Sequence, residues 1–152
     1  MMKLYLVQHG EAVAKEVDAE RPLSAEGQAD VAAMAAFLGS RLQAVRIVHS
    51  GKRRAEQTAK LLAAAGQPVE AIHGIAPNDA VEPFVQQLRQ WDGDTVVVGH
   101  LPFMAKLVAT LVTGSSEPAI TAYQPGSVVC LETAGHDHWQ IQWMVRPELL
   151  AG

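Results

Sequence analysis

The sequence predicts an α/β fold: a three-layer α-β-α sandwich with a mainly parallel central sheet. Three observations lead there. Strand-like and helix-like stretches alternate along the chain. The strand candidates have β-branched or aromatic cores and ends that are polar or marked by Gly or Pro. No internal repeat, low-complexity tract or linker interrupts the alternation. Such a pattern places successive strands parallel and packs helices on both faces of the sheet. A length of 152 residues suits one domain with a real core, so residues 1–152 are read as a single domain.

The strands are expected at Lys3–Val7, Val45–His49, Val69–Ile72, Thr95–Gly99, Val128–Glu132 and Trp139–Val145. The first helix starts at Ser24, a good N-cap, and carries Val31, Met34, Leu38 and Leu42 at helical spacing. A second runs from about Arg53 to Ala65 and stops at Gly66, a favourable residue just past a helix end. A third presents Val81, Phe84, Leu88 and Trp91 on one face. A fourth follows Pro102 and shows Leu107, Val108 and Leu111. "ETAGHDHW" reads as the turn of a final hairpin, and Trp139 and Trp143 on its second strand read as core residues.

Composition narrows the functional classes. Hydrophobic residues make up 49% and charged residues 18%, a globular balance. The formal net charge of -4 gives the chain as a whole no attraction for nucleic acid, although Lys52-Arg53-Arg54 is a local basic spot. The single cysteine, Cys130, excludes an intrachain disulfide and fits a reducing compartment. The opening apolar run is too short for a signal peptide and no segment is long enough to span a bilayer. The expectation is therefore a cytoplasmic protein without membrane anchor or nucleic-acid partner.

In open α/β sheets, ligands sit beyond the carboxyl ends of the strands. Gln8, His9 and Gly10 follow the first strand. His49 and Ser50 follow the second, with Arg54 on the entering helix, and His100 follows the fourth. Titratable groups from three strands thus converge on one edge. Helix starts expose unpaired N–H groups that suit an anion. Gly10 permits a sharp turn and a close backbone approach, and the Arg54 fork suits phosphate oxygens. Two histidines on one phosphoryl group divide the work of nucleophile and of stabiliser or proton carrier.

At these residues the chain resembles the histidine phosphatase superfamily, with its phosphoglycerate-mutase-like fold. The family's usual Arg-His-Gly after the first strand reads here Gln8-His9-Gly10. Its second marker resembles "S-P-x-x-R-A-x-Q-T-A", and "SGKRRAEQTA" matches at Ser50, Arg54, Ala55, Gln57 and Thr58, with Gly51 for the common proline. Its late Gly/Ser-His is matched by Gly99-His100 in "VVVGHLPFM". The short chain and the "RPLSAEG" stretch from Arg21 to Gly27 look most like the SixA-type phosphohistidine phosphatases.

The resemblance implies His9 as nucleophile, with His100 and Arg54 holding the transferring phosphoryl group. It implies Gln8, Gly10, Arg21 and Ser50 as substrate contacts and neither metal nor organic cofactor. Larger relatives carry an acid after the third strand; here that segment, "HGIAPNDAVEP", offers Asp79 and Glu82, and Asp79-x-x-Glu82 also reads as a helix start. Imidazole leaves more easily than an alkoxide, so a weak acid favours phosphohistidine on a partner protein over a small phosphate ester. The departure is Gln8, which donates a hydrogen bond but carries no charge. Losing one charged donor costs on the order of 2–4 kcal/mol of transition-state stabilisation. Arg21, Lys15 and Arg53 are candidates to compensate, Arg21 first. Three readings follow: a phosphohistidine phosphatase, a small-molecule phosphomonoesterase, and a phosphate-binding module that has lost turnover.

The remaining polar residues have plainer readings. His49 closes its strand by bonding a backbone group, His73 is loop surface, and His136 and His138 are exposed hairpin residues rather than metal ligands. Lys52-Arg53 is a solvated helix face, Glu11 is suited to orienting an arginine or capping the loop, and Asp79 reads as an N-cap.

Overall fold

The computed structural model describes residues 2–42, 46–135 and 137–150. Six strands form one sheet: β1 (Met2–Gln8), β2 (Arg46–His49), β3 (Val69–Ala71), β4 (Thr95–Gly99), β5 (Val128–Gly135) and β6 (His138–Val145). Their order is β3-β2-β4-β1-β5-β6. The first four are parallel neighbours, and β5 and β6 add an antiparallel edge. The helices are α1 (Ala25–Leu38), α2 (Arg53–Leu62), α3 (Glu82–Leu88) and α4 (Phe103–Thr113), with 3₁₀ turns at Gly39–Leu42 and Pro147–Leu149.

Strand alternation sorts the core into two layers. Leu4, Leu6, Val48, Val97, Val129 and Leu131 pack against Phe84 and Leu88 of α3 and Phe103 and Leu107 of α4. Tyr5, Val7, Ile47, Val96, Val98 and Cys130 face the other way, onto Val31, Met34 and Leu38 of α1 and Ala55, Ala59 and Leu62 of α2. Every residue of β4 is buried, as a central strand covered on both faces requires. No helix among the described residues is long and apolar enough to cross a membrane.

Several expectations shift in detail. Val45 and His136 lie outside the described residues. Ser24 does cap α1, its hydroxyl accepting from the Gly27 N–H at 2.9 Å. Helix α2 stops at Leu62, short of Ala65. The Gln67 side chain takes the Ala64 N–H at 2.9 Å, and the chain turns there to feed β3, with Gly66 at φ 78° inside that turn instead of at the helix end. Asp79 is not an N-cap: its Oδ2 accepts from the Ala76 N–H at 2.9 Å and closes the preceding turn, and Val81 caps α3 without a side-chain bond. The hairpin turn is tighter than expected, because β5 runs to Gly135 and β6 begins at His138. One extra residue, Gln142, stands between the Cys130–Trp143 and Leu131–Ile141 pairs. This bulge reverses the alternation. Trp139 therefore joins the α3/α4 layer while Trp143 packs in the α1/α2 layer.

Candidate active site

β1 and β4 are hydrogen-bonded neighbours whose last residues, Gln8 and Gly99, are in register. The residues that follow are His9 and His100, so the spacing of adjacent strands, about 4.8 Å, carries over to the two imidazoles. Their ring centroids lie 5.0 Å apart. The loop after β1 is tied down by the His9 N–H to the Gly99 carbonyl at 3.0 Å and by the Gly10 N–H to Thr58 Oγ1 at 3.0 Å. Thr58 in turn donates to the Arg54 carbonyl, and the Gln57 side chain accepts from the Leu23 N–H at 2.7 Å. The stretch Arg54-Ala55-Glu56-Gln57-Thr58 thus sends Arg54 to the site, buries Ala55, and uses Gln57 and Thr58 to clamp two loops. Sequence reasoning gave Gln57 and Thr58 no role; their recurrence in the motif beside Arg54 was the available signal.

A cleft of about 440 Å³ opens at the carboxyl edge of the sheet. Gln8, His9, Arg21, Arg54 and His100 line it together with Glu11, Ala12, Pro77, Leu101 and Pro125. Gly10 and Ser50 are not among the lining residues. Gly10 has no left-handed backbone; it is small because α1 presses on it, and a Cβ there would meet Val31 Cγ2 at 2.7 Å. Ser50 stands behind His100, with its Oγ 2.6 Å from Nε2. His49 accepts from the Gly51 N–H, the strand-closing role expected of it. His73 and His138 are exposed.

The chemistry of His9 follows from its hydrogen bonds. Nδ1 lies 2.7 Å from the Gly10 carbonyl, which only accepts, so Nδ1 carries the proton. Nε2 then offers a lone pair to the cleft, beside Arg54 Nε at 3.4 Å. Burial, reinforced by Arg54 and Arg21, lowers the His9 pKa to about 4. His9 is therefore a neutral imidazole at physiological pH, the state in which an imidazole nitrogen is nucleophilic. Burial lowers His100 to about 3, helped by His9 and Arg54. Burial also lowers Arg54, with Arg21 adding like-charge repulsion.

Of the three candidate compensating cations, Arg21 lines the cleft, Arg53 pairs with Glu20 at 3.1 Å, and Lys15 is exposed away from it. Arg21 is fixed by Nε donating to the Val13 carbonyl at 3.0 Å, and its terminal nitrogens have no protein partner among the described residues. Gln8 is 8% exposed, and its Oε1 is buried without a partner there.

The first half of the chain, residues 4–76, matches the model of the histidine phosphatase superfamily (branch 1). The phosphohistidine phosphatase SixA of Escherichia coli (strain K12) is 27% identical over 150 residues, covering 92% of this chain and 93% of that protein. A solved structure of the protein histidine phosphatase SixA complexed with tungstate superposes with a TM-score of 0.85 at 23% identity, covering 98% of this chain and 99% of that one. A phosphoserine phosphatase from Entamoeba histolytica in complex with 3-phosphoglyceric acid gives 0.77 at 15% identity, covering 95% and 96%.

The chain is similar to the histidine phosphatase superfamily, in sequence over residues 4–76 and in fold over nearly its whole length.

Within the cleft the whereabouts of carboxylates decides which leaving groups can be assisted. Asp79 is spent on its own turn, and Glu82 lines a separate cavity with Trp91, Arg89 and Trp139. Glu11 is the carboxylate that lines the cleft among the described residues, and its Oε1 accepts from Ser24 Oγ at 2.8 Å. No group of acidic, histidine or cysteine side chains among the described residues is arranged to hold a metal.

Proposed function

We propose that the protein is a histidine phosphatase that removes the phosphoryl group from a phosphohistidine on a partner protein through a phospho-His9 intermediate. The His9 Nε2 lone pair attacks phosphorus, the P–N bond of the substrate breaks, and its electron pair returns to the departing imidazole. If the far nitrogen of that ring carries a proton, the group leaves as neutral imidazole and needs no acid. Water then attacks the phospho-His9, the P–Nε2 bond breaks, and inorganic phosphate departs. Arg54, Arg21 and His100 stabilise the charge on the transferring oxygens, and Gln8 adds a neutral donor.

The observation that carries the choice of substrate is the placement of Asp79 and Glu82 outside the cleft. An alkoxide needs a proton as it leaves; a protonated imidazole does not. The likeness to SixA supports the same choice. A phosphomonoesterase reading has one observation in its favour, the presence of Glu11 on the cleft wall. The test is hydrolysis of a phosphohistidine protein against small phosphate esters. The proposal expects kcat/KM at least 100-fold higher for the phosphohistidine protein, and His9→Ala to abolish both turnover and covalent ³²P labelling. Turnover undiminished in His9→Ala would remove His9 from the mechanism, and a preference for esters that disappears in Glu11→Gln would favour the second reading.

A further inference from the structure

His100 is 1% exposed, and its two ring nitrogens have different fates. Nε2 meets Ser50 Oγ at 2.6 Å. Nδ1 is buried and has no partner among the described residues. An unpaired buried nitrogen costs free energy unless a ligand meets it, and the ring lines the cleft. With Nε2 occupied, Nδ1 is the nitrogen left to face an incoming phosphoryl group. A phosphoryl oxygen only accepts, so Nδ1 is useful when it carries the proton.

Ser50 has the hydrogen bonds to enforce that. Its oxygen already accepts from the Lys52 N–H at 3.3 Å. Its single hydrogen has no acceptor among the described residues other than His100 Nε2. The opposite assignment would leave the serine hydrogen idle and bury an Nδ1 lone pair against phosphate oxygens. We infer that Ser50 is a positioning residue: its hydroxyl donates to His100 Nε2 and fixes the tautomer in which Nδ1–H points at the phosphoryl group. The two histidines are then set in complementary states. The Gly10 carbonyl leaves the His9 lone pair at Nε2, where Arg54 Nε meets it at 3.4 Å, and Ser50 gives His100 an N–H at Nδ1. At metal centres, hydrogen-bond partners orient ligating histidines in a comparable way, and losing one typically costs 10- to 100-fold.

The inference rests on the phosphatase reading for its consequence in catalysis, but its structural content is tested without turnover. Nitrogen-15 NMR of the full chain, with His100 assigned through a His100→Asn variant, reads which nitrogen is protonated. The expected result is a protonated Nδ1 and an unprotonated Nε2 in the wild type, with Nδ1–H shifting when tungstate is added. Ser50→Ala should give mixed or inverted tautomers and lower kcat by roughly 10- to 100-fold, and Ser50→Thr should restore both. A wild-type His100 protonated at Nε2 overturns the inference even if no variant folds. A tautomer unchanged in Ser50→Ala overturns it as well. If the tautomer is as stated but the wild type turns over no phosphorylated substrate, the phosphatase reading fails and the role of Ser50 stands.

Discussion

Arg21 is held at φ 48°, the one non-glycine residue with positive φ among those described. A side chain in this region costs about 1 kcal/mol or more that glycine escapes, and such strain is kept where a side chain is needed in place. Arg21→Gly should therefore be about 1 kcal/mol more stable than Arg21→Ala in urea titrations, while both lose roughly 10- to 100-fold in kcat/KM. If Arg21→Ala keeps full activity, Arg21 does not compensate for Gln8. Because Arg21 already crowds Arg54, Gln8→Arg should leave kcat/KM unchanged or lower it; a large gain would mean that the cleft lacks charge. The two histidines make a pH prediction. Both have folded pKa values below 6.5, about 4 for His9 and about 3 for His100. The unfolded chain binds these protons first, so stability is fully present above pH 6.5 and falls as pH drops towards 4 and then 3. Urea midpoints at pH 7.5 and pH 4.5 should show this loss, and His100→Asn should shrink it. The acid limb of kcat/KM should lie near pH 4, not 6.5.

At the scale of elements, the loop after β1 is gripped by α1 as much as by the sheet. A Cβ on Gly27 would sit 2.1 Å from the Glu11 carbonyl oxygen, backbone that has no room to yield. Gly27→Ala should lower the thermal midpoint by an amount corresponding to at least 2 kcal/mol and lower kcat with it; an unaffected midpoint would show that the loop moves freely over α1. These contacts also explain what was legible in the sequence. β1, β4 and α1 were readable because burial on a regular period and a local cap decide them. The convergence of His9, Arg54 and His100 was readable because parallel strands end on one edge. The end of α2 was not, because a side chain of the following turn, Gln67, outcompetes the glycine signal. Nor was the position of Asp79, since a turn and an N-cap draw on the same residue chemistry. Gly10 was assigned to a turn and a ligand when its smallness serves α1. The second role of Ser50 needed its distance to His100, which no spacing along the chain contains.

For the molecule as a whole, an acidic protein must draw an anion into its cleft. The net charge is -4, yet Arg21 and Arg54 line the cleft with no carboxylate but Glu11 beside them among the described residues. Attraction is local and exposed to screening at the mouth. Raising salt from roughly 0.01 to 0.3 M should therefore lower kcat/KM for an anionic substrate mainly through KM, with kcat little changed; insensitivity to salt would mean that apolar contacts dominate capture. The bulge at Gln142 has a consequence of a different kind, an optical one. Trp143 lies 6.1 Å from Tyr5 in the α1/α2 layer, whereas Trp91 and Trp139 belong to the α3/α4 layer. With the chain's three tryptophans so divided, Trp143→Phe leaves emission from one side of the sheet, and the double variant Trp91→Phe/Trp139→Phe leaves it from the other. Each layer thereby carries its own fluorescent reporter, and a denaturation followed through both shows whether the two sides of the sheet let go together.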